Sequence, residues 1–431
     1  MLNESRQDLP KAGSPREQLK QRRDAYRVLA SWAAHGTFIK ESGLSPFAME
    51  IALGVCRRHL YLEYFIKTLV KKMPAPELQI ILEMGLFQMF FMNVPDYAAV
   101  STCVELAKVI GFGDGAGRLV NGVLGAAKKT GLPQMPPQRV RRVSVENSVP
   151  EWIVRRWFDV YGGDAAEALA KKTLERPVEW LRVNLQKTSA PKIAQKLGFE
   201  KASILYDRFI QVPAEAKLKQ ILESESFGKG EFSMQNPSAY EVVKLLDLKP
   251  SLKVWDACAA PGGKSALMAE MDCSLDILAS DVSENRCKKM DDLKKRLGLN
   301  NIRTDCMDVI SGSSRYAGFF DRILLDVPCS NLGVMARRPE AAYRLTLESL
   351  KELSDLQYRI LDAAAVALAP EGRLVYATCS PDPMETTQVV SKFLKAHPEF
   401  EKASESILPG KEDSRFDGFF AQALVRKKSR R

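Results

Sequence analysis

Between Leu252 and Met271 the chain reads LKVWDACAAPGGKSALMAEM. An apolar start (Val254, Trp255) reaches an acid, Asp256. A small, glycine-containing run follows, Ala259-Ala260-Pro261-Gly262-Gly263, and Lys264 and Ser265 then open an apolar, helix-favouring segment. This order predicts a strand, a tight turn and a helix start. In an open α/β sheet such a turn lies at the carboxyl ends of the strands, where ligands bind. Glycine lets the backbone come close to a ligand, and the first amides of the helix point at its negative group. A Walker phosphate loop needs G-x-x-x-x-G-K-[ST]. Gly263-Lys264-Ser265 supplies the end of that pattern, but Cys258 stands where its first glycine should be. A ligand turn and a plain turn of a Rossmann-like domain both stay open on this stretch alone.

The chain after this stretch alternates strand and helix. LDILASD reads as a strand ending at Asp281, and SENRCKKMDDLKKRLG as a helix stopped by Gly298. NIRTDCMD runs to Asp308, and FDRILLDVPCS is a strand ending at Asp326. A long helix through LKELSDLQYRILDAAAVALAPEG leads to the strand RLVYATCS. Such alternation predicts a parallel sheet with helices on both faces, over residues 246–431. Acids recur at its strand ends, and Asp281 lies about 25 residues after Asp256, near the spacing at which a Rossmann-type fold holds a ribose. A single strand-end Asp often caps the next helix, so the series carries more than any member. The turn lacks G-x-G-x-x-G, which disfavours a dinucleotide. S-adenosylmethionine fits better, with an ammonium for an acid and a carboxylate for the turn amides. Cys329 and Cys379 also fall at strand ends. A free thiol is a nucleophile without a histidine partner. The three histidines, His35, His59 and His397, lie outside these motifs, which disfavours a Cys/His hydrolase. Two buried core cysteines remain an alternative at this point.

At 431 residues the chain needs two or three domains. Residues 1–20 read as a flexible lead. Residues 21–130 read as helices, with Leu62, Phe65, Ile66 and Leu69 among several apolar stripes at helical spacing. Residues 131–150, proline-rich and basic, read as a linker whose Arg139, Arg141 and Arg142 are solvated or touch phosphate. Residues 151–245 mix helix and strand as a small α/β domain of ferredoxin-like type. In its strand EWLRVNLQK, Leu181, Val183 and Leu185 alternate with Arg182, Asn184 and Gln186, and this polar face is the expected RNA surface. A net charge of +10 favours a polyanionic partner. Eight cysteines without a C-x-x-C pair argue against structural zinc and disulfides. No apolar run spans a bilayer and the polar start is no signal peptide, so a cytoplasmic protein with no metal and no membrane association is expected.

VPDYAAVSTCVELAKVIG followed by GRLVNGVLG resembles the NusB-type all-helical RNA-binding module, with Arg118 and Asn121 on its late helix. DACAAPGGKS, LLDVPCSNLGV and YATCS, with DGFFAQALVRK near the end, resemble the RNA cytosine-5 methyltransferases of the Nop/Sun family. The module order resembles that family's RsmB/Sun-type rRNA branch. The resemblance implies a multidomain fold: an all-α NusB-like bundle, a ferredoxin- or RRM-like middle domain and a Rossmann-like catalytic domain. It implies methylation of carbon 5 of a cytosine in small-subunit 16S rRNA, with S-adenosylmethionine as donor and no stable protein partner. Cys379 is then the nucleophile at carbon 6. Cys329 assists removal of the carbon 5 proton and release of the enzyme, Asp326 holds or protonates nitrogen 3, and Lys264 orients the base or the donor. The donor's methionine part lies along Cys258, Ala259, Ala260, Pro261, Gly262, Gly263 and Lys264. Asp281 takes the ribose and Asp308 the adenine side, while Asp326 borders the same site. The target base must be single-stranded or flipped out. Two departures stand out. Gln235-Asn236-Pro237-Ser238 replaces the family's Q-D-x-S, and Thr386-Thr387-Gln388 after Glu385 lacks a second acid. A catalytically idle assembly factor on the same scaffold and a DNA methylase attacking through Cys329 are the rival functions. Retention of Cys379, Cys329, Asp326 and Lys264 argues against the first. The T-C-S motif and the NusB-like part argue against the second.

Overall fold

The computed structural model describes residues 14–39, 43–407 and 416–428. They divide into two units, residues 1–175 with 335–344, and residues 176–334 with 345–431.

The first unit is helical: α1 (Pro15–His35), α2 (Pro46–Arg57), α3 (His59–Leu69), α4 (Pro76–Phe91), α5 (Asp96–Ala107), α6 (Gly113–Thr130), α7 (Arg139–Asn147), α8 (Glu151–Tyr161) and α9 (Gly163–Lys172). α4 carries apolar side chains all round and is buried continuously from Ile80 to Met89, as a helix without a polar face must be. Leu29, Ile51, Phe65, Leu106 and Val120 close around it. Gly54 lets α2 come close: a Cβ there would lie 1.9 Å from Phe87 Cζ. α1 takes in residues 15–20 of the expected lead, while residues 1–13 lie outside the described residues. The expected linker contains α7, which buries Val143 and Val145, and its Arg139 is ion-paired with Asp164 and Glu167. Residues 335–344, inside the expected 246–431 domain, also belong to this unit. They include α17 (Ala341–Arg344), numbered after its place in the chain. Tyr343 packs edge-on against Trp32 and His59 and donates its hydroxyl to the Ser148 carbonyl at 2.7 Å.

His59 Nδ1 stands 2.9 Å from the buried Glu83 carboxylate. Burial alone would lower its pKa, but Glu83 outweighs burial and holds it above the ordinary 6.5. The folded state therefore binds this proton more tightly than the unfolded one. Its stabilisation is complete below about pH 6.5 and is lost as pH rises through the native value. Thermal melts of wild type should lose stability over that range, and His59→Gln should flatten the slope.

The second unit opens with a small antiparallel sheet, ordered β2-β3-β1-β4, of β1 (Trp180–Val183), β2 (Ile204–Leu205), β3 (Phe209–Gln211) and β4 (Phe232–Met234). Short helices accompany it: α10 (Ala190–Lys196), α11 (Leu218–Leu222), α12 (Glu225–Gly228) and α13 (Ser238–Lys244). Leu181, Val183, Ile210 and Phe232 pack with α10 in one core. The expected RNA face is the other one, and the structure corrects it. Arg182, Asn184 and Ser233 are buried, and Gln186 Nε2 donates to the carbonyls of Ala269 and Glu270 in the following α/β part. Arg182 and Gln186 face inward because they grip a neighbouring helix end. The strand itself also stops at Val183, and Asn184 turns the chain.

That α/β part comprises β5 (Lys253–Asp256), α14 (Gly263–Met271), β6 (Asp276–Asp281), α15 (Glu284–Leu297), β7 (Ile302–Cys306), α16 (Val309–Gly312), β8 (Phe320–Asp326), α18 (Leu347–Val366), β9 (Leu368–Thr378), α19 (Thr387–Ala396), β10 (Phe400–Lys402) and β11 (Phe420–Arg426). Among the described residues its seven strands are ordered β10-β11-β9-β8-β5-β6-β7. The expected parallel sheet is mixed: β5 to β9 run parallel, while β11 and β10 join antiparallel. Adjacent strand residues feed opposite cores, Val254, Ile277, Leu324 and Val375 on one side, Trp255, Leu278, Leu325 and Tyr376 on the other. Strands buried on both faces read as continuous apolar runs. The chain leaves β5 for β6 on one side and returns to β8 on the other. That reversal opens a crevice at the strands' carboxyl ends. No helix among the described residues is long and apolar enough to cross a membrane.

Candidate active site

Because β5, β6, β8 and β9 are parallel, their last residues share one edge of the sheet. Asp256, Asp281, Asp326 and Thr378-Cys379 are those ends. Lys264, in the first turn of α14, reaches Asp326 Oδ2 with its ammonium at 2.5 Å. Burial would lower the lysine's pKa, but the Asp326 carboxylate outweighs it and holds Lys264 above its ordinary value. The amine is thus charged at neutral pH.

Cys329 and Cys379 come from loops 50 residues apart in sequence, yet their sulfurs lie 2.7 Å apart as free thiols. Asn331, with a positive φ of 62°, ties both loops. Its amide donates to the Cys329 carbonyl, and its Oδ1 accepts from the Cys379 thiol at 3.3 Å. Gly333 N donates to the Cys379 carbonyl at 2.8 Å. A Cβ on Gly333 would lie 2.4 Å from the Gly418 carbonyl oxygen, so only glycine fits where D-G-F-F crosses this loop. Its hydrogen bond with Cys329, burial and the nearby Asp326 and Glu385 push the Cys379 thiol well above its ordinary pKa. At rest the sulfur is protonated.

The glycine turn is held from below. Gly262 takes a φ of 96° and precedes α14, and Ala260 N donates to Asp281 Oδ2 at 3.3 Å. Asp281 is buried and also ion-paired with Arg286 at 3.3 Å. Cys258 borders the same acids and is held above its ordinary pKa, chiefly by burial. Asp308 is placed differently. It is exposed and caps α16, accepting from Ile310 N at 3.0 Å. The sequence reading gave Arg182 to an RNA face and not to this turn. This buried arginine donates to the Gly263 carbonyl at 2.7 Å, to Gln235 and to Glu270, so it braces the turn from behind. Its signal was Gln235, one of the residues flagged as a departure region, which meets Arg182 directly.

Asp256 tests whether a methionine-type donor suits this edge. Ser265 donates to its Oδ2 at 2.6 Å, while Oδ1 is buried without a partner among the described residues. Burial raises its pKa to about 7. An unpaired buried carboxylate oxygen calls for a cation or proton, so the residues present fit a donor that carries an ammonium. Ionising Asp256 destabilises the free protein as pH rises from about 4 to about 7. Asp256→Asn should therefore be more stable than wild type above pH 7, by on the order of 4 kcal/mol, with the gain vanishing near pH 4.

Residues 243–423 match the family model for the 16S rRNA methyltransferase RsmB/F. Residues 19–129 match the NusB family, and residues 149–209 match the ferredoxin-like domain of RsmF/B-like methyltransferases. The probable ribosomal RNA small subunit methyltransferase B of Bacillus subtilis (strain 168) is 32% identical over 401 residues, 88% of this chain and 90% of the relative. The chain belongs to the RsmB/F methyltransferase family. The corresponding protein of Synechocystis sp. (strain ATCC 27184 / PCC 6803 / Kazusa), also named probable ribosomal RNA small subunit methyltransferase B, is 32% identical over 394 residues, 87% of this chain and 86% of the relative. The crystal structure of PH0851 shares the fold at a TM-score of 0.75 and 22% identity, over 97% of this chain and 100% of that one. A methyltransferase homolog from Pyrococcus horikoshii shares it at 0.56 and 24%, over 68% and 100%. The family match accords with the expected order of a NusB-like bundle, a ferredoxin-like domain and a Rossmann-like methyltransferase domain.

Proposed function

We propose that this protein methylates carbon 5 of a cytosine in small-subunit rRNA, with S-adenosylmethionine as donor, through a covalent bond between Cys379 and carbon 6. The observation that carries this reading is the thiol pair, Cys329 and Cys379, set 2.7 Å apart on the sheet edge that also holds Lys264 and Asp326. Carbon 5 of cytosine is a poor nucleophile until a thiolate saturates the neighbouring double bond. As the Cys379 sulfur bonds carbon 6, its proton passes by way of Asp326 to nitrogen 3. Asp326 meets nitrogen 3, where the added electron density collects, and Lys264 keeps that carboxylate oriented. S-adenosylmethionine supplies an electrophilic methyl group. Asp256, the turn from Cys258 to Lys264 and Asp281 would hold it. Asp308, a helix cap at the margin, stays in the proposal only for the adenine side. Once carbon 5 is methylated, Cys329 takes its remaining proton, and the electron pair left behind expels the Cys379 sulfur.

The relatives' names and the net charge of +10 support an rRNA substrate and, with it, a cytoplasmic location. The NusB-like unit remains the proposed second RNA contact, with Arg118 and Asn121 on α6 both exposed. The middle domain meets RNA, if at all, through surfaces other than the buried Arg182 face. Bisulfite sequencing of rRNA from a strain lacking this protein should show one small-subunit cytosine losing its protection from conversion. Protein with labelled donor should restore it in vitro. An unchanged conversion map would overturn the reading.

A further inference from the structure

Glu385 is fully buried beneath the two cysteine loops, and no step above uses it. Its Oε1 accepts from Ser330 N at 2.8 Å, one residue after Cys329, and from Gln357 Nε2 of α18 at 3.0 Å. Its Oε2 accepts from the Ser330 hydroxyl at 2.5 Å. That hydroxyl also meets Ser380 Oγ at 3.2 Å, one residue after Cys379. The Glu385 carbonyl accepts from Tyr376 OH of β9 at 2.6 Å. One carboxylate therefore gathers the residue after each cysteine, a helix and the strand that ends at Cys379. Burial pushes its carboxyl above the ordinary range, and these donors work against that push.

We infer that Glu385 is a positioning residue that sets the separation of the Cys329 and Cys379 sulfurs by clamping Ser330 and Ser380. The inference rests on the reading of these two cysteines as the reacting pair. A buried carboxylate held by donors on both oxygens is costly to make and is not needed for packing alone. Its donors sit at the loop residues adjacent to both thiols, so its effect falls on their spacing. Glutamine keeps the shape. Its oxygen can still accept from Ser330 N and Gln357, and its amide can donate to the Ser330 hydroxyl, so Glu385→Gln should retain the clamp. Glu385→Ala removes it. Ser330→Ala removes only the hydroxyl link and keeps the rest of the core intact.

Two readouts test the clamp on the full chain. The first is steady-state methylation of small-subunit rRNA. Glu385→Ala should lose at least about ten-fold in kcat, with KM for RNA and the donor dissociation constant within two-fold of wild type. Ser330→Ala should lose several-fold, and Glu385→Gln should stay near wild type. The second is independent of methylation: the rate at which diamide joins Cys329 to Cys379, followed by peptide mass spectrometry. Diamide accepts two electrons and two protons from the thiol pair and becomes a hydrazine as the S–S bond forms. That rate should fall at least about ten-fold in Glu385→Ala, fall less in Ser330→Ala, and be preserved in Glu385→Gln. Cross-linking at the wild-type rate in both alanine variants overturns the inference. So does a loss of kcat matched by an equal loss of donor affinity. A wild-type protein inert toward rRNA sinks the functional reading alone, and cross-linking still decides the clamp.

Discussion

Cys379→Ala is expected to reduce methyl transfer by at least about 10⁴-fold, the scale of losing a covalent nucleophile. Cys329→Ala is expected to behave differently and accumulate a protein–RNA adduct that survives denaturing electrophoresis. The two outcomes follow from the order of bond changes. Without the Cys379 sulfur, carbon 5 never becomes electron-rich enough to attack. Without Cys329, attack proceeds, but the proton left on carbon 5 has no base beside it and the Cys379 sulfur stays bonded. The Cys379 thiol lies well above its ordinary pKa in the free protein. Adduct formation in Cys329→Ala should therefore quicken as pH rises through the alkaline range, because the thiolate fraction grows with pH. Removing Cys329 also removes the hydrogen bond that raises that thiol most, so Cys379 in this variant should react with iodoacetamide faster than in wild type. The double variant should form no adduct.

Arg182→Met should lower stability by about 3–5 kcal/mol, since it leaves Glu270 buried and unpaired. Both side chains are essentially inaccessible, and the pair is 2.8 Å apart. Burial already holds the Glu270 carboxyl above its ordinary pKa, with Arg182 pulling it down. Removing the arginine raises it further. The folded variant then binds a proton that the unfolded chain releases, so its stability should fall more steeply than wild type as pH rises past about 4.5. Donor affinity should fall as well, because the same guanidinium holds the Gly263 carbonyl at the head of α14. Adding Glu270→Met should recover much of the lost stability, as replacing a whole buried pair by apolar side chains often does. Donor affinity should stay low in that double variant. Urea unfolding with donor titration on the four proteins separates the two effects.

Much of the α/β part was legible because its strands announce themselves twice, as apolar runs and by the acids or cysteines that end them. Asp256, Asp281 and Asp326 with Cys379 meet at one edge because parallel strands end together, and that follows from β-α-β order alone. What stayed hidden is long-range. β11 joins antiparallel because its partner is β9, and nothing within F-F-A-Q-A-L-V-R states a direction. Arg182 alternates with leucine and valine as a solvent-facing residue would, yet its partner, Glu270, lies 88 residues on. A buried ion pair and an exposed basic face leave the same local pattern. Residues 335–344 belong to the helical unit although their sequence neighbours do not, since Tyr343 packs against Trp32 and His59 far upstream. The raised thiol of Cys379 is hidden for the same reason. Its cause is Cys329, 50 residues away.

The most direct test uses small-subunit rRNA carrying 5-fluorocytosine, whose carbon 5 holds fluorine in place of the proton that must leave. Wild-type protein with donor should stall as a covalent complex. Digestion and mass spectrometry should then find the methylated nucleotide on the peptide containing Cys379. A nucleotide on the Cys329 peptide, or no covalent species under conditions where normal rRNA is methylated, would contradict the assignment of Cys379 as the attacking sulfur.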